Sequence, residues 1–112
     1  MQNRNKLVDL FIGNISNSIT HKILEIAIEN VTIISKYQKE SKISFDIAKK
    51  YREKINPVNK TLPTHDTNNV RRKIINKVRA ELNLRISRGY TNIDLSLVEK
   101  FVDSSLKELG VV

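Results

Sequence analysis

Apolar residues recur along the first quarter of the chain at Val8, Ile12, Ile15, Ile19, Ile23 and Ile26. Steps of four and three place them on one face of a helix, so the spacing predicts an amphipathic helix over roughly Arg4 to Asn30. Its weak point is Gly13 to Ser18, where Gly, Asn and Ser lower helix propensity and allow a break into two helices. Val31 to Ile34 is a β-branched run with no alternating partner strand elsewhere, and it is read as a turn or helix start. From Ile34 onward Tyr37, Ser41, Ser44, Ala48, Tyr51 and Ile55 repeat at helical spacing, with small serines among them. This second helix should end near Asn56, ahead of Pro57.

The stretch from Asn56 to Asp66 holds both prolines and reads as the chain's connector. Beyond it Val70, Ile74, Val78, Leu82 and Ile86 predict a third helix, capped by Asp66 or Thr67 and stopped at Gly89. Ser96 and Glu99 have capping-box spacing, with Asp94 as a competing cap. A fourth helix follows, with its stripe at Val98, Phe101, Val102, Leu106 and Leu109 and its stop at Gly110. Four amphipathic helices must bury their faces together, so the expected fold is all-α: one domain over residues 1–112, a small helical bundle with its connector at about 56–66. The isoleucine stripe of the first helix serves either an intramolecular core or a dimer through that helix.

Composition narrows the function classes. In 112 residues there is no Cys, which removes disulfides, thiol redox motifs and cysteine-ligated zinc. Polar residues at Asp9, Asn14, Ser16, Asn17 and Ser18 interrupt the first apolar stretch, so no membrane span or secretory h-region fits, and a cytoplasmic location is the expectation. The net charge is +8, and its placement matters more than its total. Residues 31–56 carry seven Lys and Arg against three Asp and Glu; residues 67–89 carry seven against one; residues 90–112 carry two against four.

No motif dictates a chemistry. His21 has no carboxylate or second His at ligand spacing and reads as an exposed polar-face residue; His65 beside Asp66 reads as a local hydrogen bond or cap. Gly13, Gly89 and Gly110 are isolated, without GxGxxG or GxxxxGK[ST]. Neither an enzyme nor a cofactor or metal is expected. The positive signal is Arg71, Arg72, Lys73, Lys77, Arg79, Arg85 and Arg88, with Glu81 as the one counter-charge on that segment. At about 100° per residue, Arg72 and Arg79 lie roughly 20° apart and Lys73 and Lys77 roughly 40° apart, forming two outward rows. Cationic helices of this kind bind phosphate backbones through charge-assisted contacts and counterion release. Lys49, Lys50 and Arg52 of the second helix extend the patch if the two helices lie side by side, and Tyr51 among them suits the core better than base stacking.

Three readings follow. The leading one is a non-enzymatic protein contacting nucleic-acid backbone through its third helix. The acidic fourth helix does not suit a major-groove reader, so sequence-independent contact is expected. The second is a helical protein-interaction or homo-oligomerisation module without nucleic acid. The bland alternative is a solvated helix face partly neutralised by Glu99, Asp103 and Glu108.

Overall fold

The computed structural model describes residues 4–56 and 61–112. All its regular structure is helical, in four helices: α1 (Arg4–Ala27), α2 (Val31–Ile55), α3 (Thr64–Ser87) and α4 (Leu97–Glu108). They pack as a small bundle of 40 × 24 × 22 Å, whose long dimension matches the roughly 36 Å expected of a 24-residue helix.

α1 runs unbroken through Gly13 to Ser18. Tertiary contact overrides the weak local propensity there: Asn17 donates to Ser44 Oγ, and Ser18 and Ser41 exchange hydroxyl-to-carbonyl bonds of 2.8 and 2.9 Å, while within the helix Asn14 donates to the Leu10 carbonyl. Asn30 caps α2 by accepting from the amides of Thr32 and Ile33, which settles the β-branched run as a helix start. α3 begins at Thr64, directly after Pro63 and ahead of the expected caps. The part of the connector at residues 57–60, Pro57 included, lies outside the described residues. At α4 the expected capping box does not form. Asp94 instead accepts from the Ser96 amide and hydroxyl, and Ser96 caps nothing with its side chain.

α1 is the centre of the arrangement. α2 packs along it as the antiparallel arm of a hairpin, and α3 and α4 pack on other sides of it and on each other. No Cα pair of α2 and α3 comes within 8 Å. Ile12, Ile15, Ile19 and Ile23 are buried with Val70, Ile74, Val78, Leu82, Val98, Val102 and Leu106 in one core, so the isoleucine stripe is consumed within the chain rather than left for a partner. Its last member, Ile26, is 58% exposed, and Ile86 of the α3 stripe is exposed as well. The chain after α4 folds back: Gly110 at φ +71° lets the Val111 amide reach the Leu106 carbonyl, and the Val111 carbonyl then accepts from the Leu62 amide. No described helix is long and apolar enough to cross a membrane.

Candidate nucleic-acid interface

α3 turns its buried positions, Val70, Ile74, Val78 and Leu82, towards α1 and α4, leaving cations on the two remaining flanks. On the flank beside α4 they meet the acidic residues of that helix. Arg71 Nε donates to Asp103 Oδ1 at 2.7 Å, with a second bond from Nη2 to Oδ2 at 3.2 Å. The hydrogen bond to Asp103 raises the Arg71 pKa, further fixing its charge. Arg79 lies 3.4 Å from Glu99. Two of the three acids expected to neutralise α3 therefore do so; Glu108 instead lines a cleft between α1, α2 and α4.

The other flank is different. Lys73, Lys77 and Arg88 are exposed and form no ion pair among the described residues. At 100° per residue they fall within a sector of about 80° that also holds Ala80 and Leu84. Arg72 lies about 20° from Arg79, on the α4 flank; it is exposed, donates to its helix neighbour Asn69 at 2.6 Å and meets no carboxylate.

Arg85 belongs to a small polar cluster rather than to either surface row. Its Nε donates to Glu81 at 3.2 Å and its Nη1 to the Tyr37 hydroxyl at 3.4 Å, while its guanidinium lies 5.6 Å from the Tyr90 ring. Burial pulls the Arg85 pKa down, but hydrogen bonds to Glu81, Tyr90 and Tyr37 outweigh it, and the net direction is up. Burial and a hydrogen bond with Tyr90 push the Tyr37 hydroxyl up, whereas the bonds from Tyr37 and Arg85 pull Tyr90 down.

Three sequence expectations change here. Arg52, assigned to the cationic surface, is completely buried. It donates to the Asn56 carbonyl, to the Asn56 side-chain oxygen and, at 2.8 Å, to the Gly110 carbonyl. Burial lowers its pKa, and no phosphate can reach it. Lys49 and Lys50 are exposed, but on a helix that α1 separates from α3, so they do not extend the α3 rows. Tyr51 packs against the core as expected, with the Lys54 ammonium 5.6 Å from its ring.

His21, read as an exposed residue, is 9% exposed. Its Nδ1 is 2.9 Å from the Asn17 carbonyl and its Nε2 3.0 Å from Glu40, and its ring packs on Tyr37 at 5.3 Å. The sequence signal was missed because Glu40 is nineteen residues away, on the facing arm of a hairpin whose register the sequence does not print. His65 lies exposed in the first turn of α3, and its neighbour Asp66 pairs with Arg4 at 2.8 Å. No group of three or more His, Asp or Glu able to hold a metal ion occurs among the described residues.

Comparison with known protein families, with curated proteins and with solved structures finds no match to this chain.

Proposed function

We propose that the chain is a non-enzymatic protein that contacts nucleic-acid backbone, without reading sequence, through Arg72, Lys73, Lys77 and Arg88 of α3. The observation that supports this reading is the uneven neutralisation of α3: α4 supplies carboxylates to one flank and none to the other. The uncompensated cations are spread over about 24 Å of helix, a length along which a duplex presents more than a dozen phosphates. Exposed, unpaired Lys and Arg give up little on meeting a phosphate, whereas a paired Arg71 or Arg79 would first have to leave its carboxylate.

The test is fluorescence anisotropy with labelled random duplex, single-stranded DNA and RNA over a salt series. Four phosphate contacts predict an affinity loss of about 10²-fold between about 50 and 200 mM salt. A matched pair of variants separates a local surface from net charge: Lys73→Glu/Lys77→Glu and Lys49→Glu/Lys50→Glu change the total charge equally. Binding should weaken at least tenfold more in the first than in the second. Equal losses, or no binding to any of the three nucleic acids at low salt, would overturn the reading and favour a protein-interaction module.

A further inference from the structure

Because α2 and α3 lie apart on α1, the surface of α1 between them is left as the floor of a groove. Its volume beside α3 is about 520 Å³; Gly13, Ser16 and Thr20 form its floor, with Asn17 at the edge towards α2, and Lys77, Ala80, Glu81 and Leu84 form one wall, where the Glu81 carboxylate is held by Arg85. The floor is made of small residues, and a Cβ built on Gly13 would meet nothing within 4 Å. Ser16 is 5% exposed, and its hydroxyl has no hydrogen-bond partner.

The other wall follows from helix geometry. Gln38 and Phe45 of α2 share a cleft with Ser104 and Ser105 of α4. Ile43 and Ile47 lie about 160° around α2 from Phe45, on the flank facing away from α4. The hairpin register, fixed by Asn17 to Ser44 and Ser18 to Ser41, sets Ile43 and Ile47 level with the Gly13–Asn17 stretch of the floor. Ile43 is 49% exposed, Ile47 38% and Leu84 42%. One end is closed by the Arg85 to Tyr37 hydrogen bond.

We propose that this groove receives an acidic amphipathic helix from a partner protein. Small residues on the floor allow two helix axes to approach closely, and exposed Ile43, Ile47 and Leu84 on opposite walls offer contacts to an apolar stripe. Charge selects the occupant. Lys73, Lys77 and Arg88 run along the α3 rim without carboxylate partners, and Lys50 and Lys54 lie on the same flank of α2 as Ile43 and Ile47. On the opposite side of α3, the chain's own acidic helix α4 supplies Asp103 and Glu99 to Arg71 and Arg79. A second copy of this chain, at +8, would bring like charge to the rim. The inference rests on the groove and stands apart from nucleic-acid binding, although both occupants would cover Lys77.

The probe is a display library of 16-residue helical peptides with one randomised face, selected against the whole protein. The expected consensus is an apolar stripe at i, i+4 and i+7 flanked by Asp and Glu, whose binding shifts the groove-floor amides in ¹H–¹⁵N NMR spectra. Gly13→Gln fills the floor and should weaken the selected peptide at least tenfold while leaving nucleic-acid affinity and the thermal melt unchanged. Ala80→Gln, on an exposed wall position, is the second variant should the first unfold. Absence of an enriched consensus, a consensus without acidic flanks, or affinity indifferent to both variants would overturn the proposal. So would a dimer in light scattering that protects the groove-floor amides, or duplex DNA shifting those amides itself.

Discussion

Arg52 shows how far one residue can depart from what its neighbours suggest. In sequence it sits among Lys49, Lys50 and Lys54 and looks like one more surface cation; nothing local separates it from them. In the structure it is enclosed at the point where the end of α2 meets the turn after α4, and its planar fork bonds two carbonyls and an amide oxygen that would otherwise lie buried. Hydrogen bonds to a charged donor contribute about 1.5–3 kcal/mol each, and leaving buried acceptors unmet adds to the loss. Arg52→Ala should therefore lower unfolding stability by about 2–4 kcal/mol in urea titrations. Arg52→Lys should recover only part of that, since an ammonium cannot span the same acceptors; full recovery would show that charge alone matters there.

Asp94 gives a residue-scale prediction with a definite sign. The hydrogen bonds it accepts from the Ser96 side chain and backbone hold its carboxyl below the usual carboxylate range. A carboxylate whose pKa falls on folding stabilises the fold above its unfolded value, near 3.9, and loses that contribution as pH falls through the folded value. Asp94→Ala should depress Tm at pH 7 and leave it almost unchanged at about pH 2. A drop of the same size at both pH values would assign the effect to something other than the ionised cap.

Among the elements, legibility followed the amount of apolar periodicity. α3 and α4 were visible because Val70, Ile74, Val78 and Leu82, and Val98, Val102 and Leu106, repeat at helical spacing and are the residues that become buried. α1 is legible as a long helix, with a break at Gly13–Ser18 left open by the sequence. Its Gly13–Ser18 stretch is held straight by hydrogen bonds to α2, residues more than twenty positions away, and no local propensity carries that information. α2 was legible for a different reason: Ser41, Ser44 and Ala48 marked a narrow seam, and that seam is where α1 and α2 approach closely. The Asn30 cap is masked in the sequence by the β-branched run that follows it, whose residue types favour a strand. For the candidate interface, the sequence indicated which helix is cationic but not which flank stays so. That depended on where α4 docks, a property of the assembled bundle.

At the scale of the whole molecule, the backbone of α1 lies close to each of the other three helices while that of α2 lies close to α1 alone; beyond α1, α2 is held by side-chain bonds, Tyr37 to Arg85 and Arg52 to the Gly110 carbonyl. Burial is shared just as unevenly. Phe11, Ile12, Ile15, Ile19, Ile23, Leu24 and the inner residues of α3 and α4 form most of the apolar core, whereas α2 fully buries Tyr37, Ser44, Ala48 and Arg52 along its 25 residues and packs Phe45, Tyr51 and Ile55 against the core half-buried. The α1 face beneath α2 is polar as well, with Asn17, Ser18 and His21 on it. Water can replace a polar partner at little net cost, but it cannot replace an apolar one.

The smaller apolar burial of α2 predicts that it opens as a unit of its own at a lower free energy than the body formed by α1, α3 and α4. Native-state hydrogen exchange should find the amides of Tyr37 to Ala48 opening together, at a lower free energy than those of Ile74 to Leu82. Exchange of both segments at the single global unfolding free energy would show that the hairpin opens only when everything does. If α2 does open alone, the seam it uncovers is mixed: Asn17, Ser18 and His21 pass to water readily, whereas Tyr37, Phe45, Ala48, Tyr51 and Ile55 leave the core, so the opened form would carry a short apolar strip through which partly unfolded copies could associate.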